Sequence, residues 1–260
     1  LAPDPAARWP DLASLLACLA RRLQRRWWLA ALGGAVAGAS LAAMALVAAG
    51  GGDAGTPCAG VDAPFHAMWS ADERARIARG FAATGGPSAA ATWARLVPIV
   101  DDWGARWGAM RREACEATAV RHEQSPALLD LRMACLEDRR RELGALLAVF
   151  ASATPDITPV AINALGRMEP IARCADAAAL SRVAPPPAAI APRVTTLKRE
   201  VEAVAAAAQV NRTGYLDRAQ QATAAAAALG YAPLEAEALF ALGTVHDVEG
   251  TYEDAVHARV

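Results

Sequence analysis

The stretches DAPFHAMWSADERARIARGFAAT (residues 62–84), GGP (85–87) and SAAATWARLVPIVDDWGARWGAMRREACEAT (88–118) decide the fold of this chain. Two segments with helical patterning flank a Gly-Gly-Pro breaker, so they are expected to form an antiparallel hairpin that turns near residues 85 to 88. Cys58 and Cys115 stand at equal distances in sequence from the two edges of the breaker. Because a helix rises by a constant amount per residue, the two sulfurs return to the same level. A third helix, SPALLDLRMACLEDRRRELGALLAVFASA, ends near Ala153, and a shorter one begins around Pro155. Cys135 and Cys174 lie almost equally far from that second turn. They can meet if the segment Met168 to Ile171 keeps its course past Pro170.

The wider composition agrees with helices. Hydrophobic residues make up 55% of 260 residues, aromatics only 5%, and the apolar content is dominated by Ala. Ala favours helix intrinsically, and runs of β-branched or aromatic residues that would announce strands are nearly absent. The expected class is all-α. A formal net charge of -1 offers no electrostatic reason for a nucleic-acid partner.

One segment bears on location. Residues 27–52, WWLAALGGAVAGASLAAMALVAAGGG, carry no charge, and about 20 apolar helical residues suffice to cross a bilayer. A single transmembrane helix over 29–52 is expected. The basic juxtamembrane stretch 21–28, RRLQRRWW, precedes it, and the next Arg or Lys is Arg74. The positive-inside rule then places the N-terminus in the cytoplasm and the remainder outside the inner (cytoplasmic) membrane. A buried Ala-rich core helix and a cleaved signal peptide are the competing readings. Gly34 and Gly38 form a small-xxx-small pair through which two spans could dimerise. In this topology Cys18 stays a reduced thiol. Cys58, Cys115, Cys135 and Cys174 lie in an oxidising compartment, where helix geometry pairs Cys58 with Cys115 and Cys135 with Cys174; unpaired buried thiols are the alternative.

The opening LAPDPAARWPDLASLLACL resembles the last helical segment of the bacterial eukaryotic-like Ser/Thr protein kinase domain, through Asp4, Pro5, Arg8 and Pro10. The resemblance covers residues 1–20. It implies that Arg8 is the structural ion-pair partner of a Glu in a kinase domain preceding Leu1, and that ATP and Mg belong to that domain. No cofactor, metal or catalytic residue is expected within the chain itself. A capped amphipathic helix carrying Leu12, Leu15, Leu16 and Leu19 on one face is the other reading.

Residues 53–183 are expected to form a disulfide-stapled helical domain, and PPPAAIAP introduces a stiff Pro-rich linker at 184–192. Beyond it, GYLDRAQ supplies Gly214, Leu216 and Ala219, and GTYEDAV supplies Gly250, Tyr252 and Ala255 at a constant offset of 36. With Leu239, Leu242 and Gly243 ahead of the second set, residues 193–260 resemble the tetratricopeptide repeat, an α-solenoid unit that binds proteins or peptides. The usual period of that repeat implies a two-residue insertion, placed in the turn LGYAP. The resemblance also implies further repeats beyond Val260.

Trp103, Trp107 and Met110 recur at one-face helical spacing, as a core stripe or an aromatic ligand cage. His122-Glu123 begins like a zinc-protease motif, but Pro126 stands where a second His is needed. His66, His246 and His257 lie outside any ligand-spaced group, and Asn211-Arg212-Thr213 is an isolated glycosylation sequon. The run EDRRREL (137–143) reads as a solvated helix face with i,i+4 pairs. These readings imply the membrane-anchoring and sensory portion of a transmembrane Ser/Thr protein kinase, with the membrane and a protein or peptide ligand as partners. A membrane-tethered repeat scaffold without kinase activity is the alternative.

Overall fold

A computed structural model describes residues 57–259, and all regular structure among them is helical. Arg8, the 1–20 and 21–28 segments, Cys18, residues 29–52, Gly34 and Gly38 lie outside the described residues.

The first arm of the hairpin is two helices, α1 (Ala63–Met68) and α2 (Ala71–Ala83). The break falls at Ser70, whose extended backbone and hydroxyl cap α2 by accepting from the Glu73 N–H at 3.3 Å. The second arm, α3 (Ala89–Ala119), runs unbroken through Pro98. Ser125 caps α4 (Pro126–Ala151), and α5 (Ile157–Gly166) follows. A 3₁₀ turn (Ile171–Ala175) and the short α6 (Ala177–Leu180) lead to the proline-rich stretch. Beyond it come α7 (Ala191–Gln209), α8 (Leu216–Leu229), α9 (Ala232–Glu249) and α10 (Tyr252–Arg259).

The expected single transmembrane helix, and with it the single-pass location in the inner membrane, is corrected by the helices observed. Among the described residues none is long and apolar enough to cross a membrane. The longest, α3, has the length but carries Arg95, Asp101, Asp102, Arg106, Arg111 and Arg112, which a lipid core would reject.

Two clusters form the core. The first joins α1 to α5 and the 3₁₀ turn around Phe65, Phe81, Trp107, Leu136, Leu143 and Phe150. Trp107 is fully buried and donates its indole N–H to the Leu136 carbonyl at 2.7 Å, so its one polar group stays satisfied. The Phe65 ring occupies the space that a side chain at Gly104 would take. The second cluster is built from Val194, Val201 and Val204 of α7, Ala219, Ala222 and Ala226 of α8, and Leu234, Ala238 and Val245 of α9. Its small side chains bring the helices close.

The Pro-rich stretch does not hold the two clusters apart. Helix α7 packs along α4, and Ala206 and Val210 of α7 and its end are buried in the first cluster. Arg212 donates to the Ser152 carbonyl at 2.8 Å, and Tyr231 donates to the Ala184 carbonyl at 2.9 Å.

Gly80 marks a close helix approach. A Cβ there would stand 2.6 Å from the Ala151 carbonyl oxygen and 2.8 Å from that of Phe150, both backbone atoms that cannot rotate away. Gly80→Ala should therefore push α2 off the end of α4 and cost about 1–3 kcal/mol. At Gly166 an added Cβ meets nothing within 4 Å, so Gly166→Ala should leave stability unchanged or slightly raised. Thermal unfolding of the two variants side by side checks this, and equal losses would refute the close-approach argument.

Candidate functional site

Disulfides Cys58–Cys115 and Cys135–Cys174 close Cα–Cα distances of 5.8 and 5.6 Å. The first ties the start of the described chain to the far end of α3. The second ties the 3₁₀ turn to α4. Between these staples lies a cavity of about 790 Å³, walled by α3, α5 and the 3₁₀ turn. Its walls are mainly apolar: Ile99, Trp103 and Met110 from α3, Ile162 and Leu165 from α5, and Ile171 from the turn.

The Trp103-Trp107-Met110 stripe thus divides. Trp107 belongs to the core, while Trp103, stacked on it with ring centroids 6.3 Å apart, and Met110 face the cavity. Four charged residues also line it, and each has an opposite partner. Arg106 pairs with Asp102 at 2.8 Å, Glu169 with Arg173 at 2.9 Å, and Glu113 with the guanidinium of Arg132. Arg132 is 7% exposed and also donates to the Gln124 side-chain carbonyl at 2.9 Å. Gln124 in turn donates to the Ala114 carbonyl and the Thr118 hydroxyl at 2.7 and 2.8 Å, which fixes the end of α3 against α4.

The EDRRREL run is not a solvated face. Its pairs are i,i+3 (Glu137 with Arg140, Asp138 with Arg141, Arg139 with Glu142), and the run is half-buried under neighbouring helices. Arg141 grips Glu202 of α7 at 3.1 and 3.3 Å, and Lys198 bridges Asp138 and Glu237 at 2.8 and 2.9 Å, so one ionic cluster joins α4, α7 and α9. Burial pushes the Glu202 carboxyl up to about 7, outweighing the opposing pull of Arg141 and Lys198. Burial also disfavours the Lys198 ammonium, but Asp138 and Glu237 prevail and raise it. Glu142, half-buried beside Arg139 and accepting from the Glu169 N–H at 3.2 Å, is likewise raised by its partial burial.

In the second half, positions 36 apart occupy equivalent places. Gly214 and Gly250 both have left-handed backbone, with φ of 80° and 79°, each in the turn between two helices. Ala219 and Ala255 are 2% and 1% exposed, and Ala207 and Gly243 are both buried. Leu216 starts α8 and Tyr252 starts α10; Tyr252 is exposed, whereas Leu239 and Leu242 are half-buried. Only Gly230 and Tyr231 separate α8 from α9. His246 is buried, with Nδ1 2.7 Å from the Thr251 hydroxyl. His66 has a carboxylate neighbour after all, Asp62, at 3.8 Å. His122 turns its Nδ1 to the Thr118 carbonyl at 3.1 Å, and no metal-binding group occurs among the described residues.

Neither the cavity nor the ionic cluster was found from sequence. Ile162, Met168 and Ile171 resemble any core residues until the segment from Met168 into the 3₁₀ turn is placed. Compared with known proteins, the chain matches no family model, no curated protein and no solved structure.

The ionic cluster makes stability depend on pH. Glu202 binds its proton more tightly folded than unfolded, so its contribution is full below the unfolded value near 4.5 and fades as pH rises through about 7. The protein should gain on the order of 2 kcal/mol between pH 8 and pH 5. Glu202→Gln should flatten most of that slope and cost little at pH 5. Denaturant unfolding at several pH values reads this directly; an unchanged slope in the variant would sink the assignment.

Proposed function

We propose that this chain supplies the sensory, protein-binding portion of a Ser/Thr protein kinase, in which the helix pairs of residues 193–259 take up a protein or peptide. The observation that carries the reading is the equivalence at an offset of 36: left-handed Gly214 and Gly250, buried Ala219 and Ala255, and small residues at 207 and 243 where helices pack closely. That arrangement suits a repeat whose neighbouring pairs share an interface and offer an extended surface. The kinase assignment is supported by the likeness of Asp4, Pro5, Arg8 and Pro10 to the end of a kinase domain. Arg8 then acts as a structural ion-pair residue. ATP and Mg serve the phosphotransfer itself, outside this chain.

Phosphotransfer from ATP by the natural protein that contains this chain, assayed with residues 57–259 present and deleted, tests the reading. The expected result is ATP-dependent phosphorylation whose rate changes several-fold on deletion. A natural protein with no phosphotransfer would overturn the kinase assignment. Peptide-display selection that still enriched defined sequences on the chain would then favour a repeat scaffold without kinase activity.

A further inference from the structure

We propose that the cavity between α3, α5 and the 3₁₀ turn is a binding site for an uncharged, largely apolar small molecule with an aromatic or branched aliphatic body. Its volume, about 790 Å³, lies within the range of small-molecule sites, which are concave, mainly apolar and carry few polar groups. Trp103, 8% exposed and stacked on Trp107, stands in the cavity wall. Ile99, at 37%, is among the most exposed large apolar side chains of the described residues, and it stands in the cavity wall.

Charge decides the chemistry of the occupant. Arg106, Arg132, Glu113 and Glu169 are the charged lining groups, and each is already matched by a carboxylate or guanidinium. Arg106 and Glu169 stand with their partners at the exposed rim, but a charged ligand reaching further in would have to break the Glu113–Arg132 pair and leave the buried Arg132 guanidinium without its carboxylate. A neutral one disturbs none. The site is also preformed: Cys135–Cys174 fastens the 3₁₀ wall to α4, and the Glu113–Arg132–Gln124 set fastens the end of α3, so little ordering remains to oppose binding.

The methionines report on the site separately from the rest of the protein. Met110 and Met168 line the cavity, whereas Met68 and Met133 do not. The full chain, labelled with ¹³C in its methionine methyl groups, is titrated with N-phenyl-1-naphthylamine, an uncharged aromatic probe, and followed by NMR. Saturable shifts of Met110 and Met168, with Met68 and Met133 unmoved, are expected. The anionic analogue 8-anilinonaphthalene-1-sulfonate should bind at least tenfold more weakly.

Ala172 stands exposed at the mouth, and Ala172→Trp should abolish the Met110 and Met168 shifts. Gly166→Leu, placed where an added Cβ meets nothing, gives a second obstruction if the first disturbs folding. Absence of saturable shifts, shifts spread equally over Met68, Met110, Met133 and Met168, shifts that survive both obstructions, or equal affinity for the anionic analogue would each overturn the proposal.

Discussion

Helix α4 must be buried along most of its length while carrying Arg132 and the charged run Glu137 to Glu142, and the other helices are arranged around that constraint. A guanidinium taken out of water without a partner is far costlier than any packing gain at the same place. The carboxylates that answer this demand come from α3 (Glu113), α4 itself (Glu137, Asp138, Glu142) and α7 (Glu202). The pairings with Glu113 and Glu202 therefore also fix α3 and α7 in azimuth and register against α4. Apolar contacts such as Leu136, Leu143 and Phe150 supply the attraction, but a hydrophobic surface tolerates sliding. The ion pairs do not.

The same constraint explains which parts of the structure can be read from sequence. Cysteine levels are legible because equal counts out from the Gly-Gly-Pro breaker bring Cys58 opposite Cys115, and the break at Ser70 and the turn that carries Cys58 ahead of α1 do not undo that match. The 36-residue offset is legible because left-handed glycines and close-packed alanines are local requirements. The ionic cluster is not, because Glu202 and Lys198 lie about 60 residues from their partners in α4 and nothing in either stretch announces the other. EDRRREL has the composition of a solvated face and becomes a partly buried junction only because α7 lies across it.

The cavity illustrates a different limit. Helical periodicity places Trp103, Trp107 and Met110 on one face, and they do share a face. Periodicity cannot say where along that face the neighbours stop. Here α1 and α4 cover Trp107, while α5 and the 3₁₀ turn stand back from Trp103 and Met110. The stripe is core along its length, and Trp103 and Met110 also line a cavity.

The two disulfides also set the path of mechanical load. A pull on the chain upstream of Cys58 passes through sulfur into Cys115, runs down the 120–125 connection into α4, and leaves through Cys135 to Cys174. The intervening segments, with sequence separations of 57 and 39 residues, are bypassed. They contain α1, α2, most of α3, the larger part of α4, and α5, hence most of the cavity wall. Tension that could strip α7 to α10 apart would reach the cavity wall at Arg132, paired with Glu113, and at Ala175 just past the second staple, while covalent loops hold the remaining walls slack.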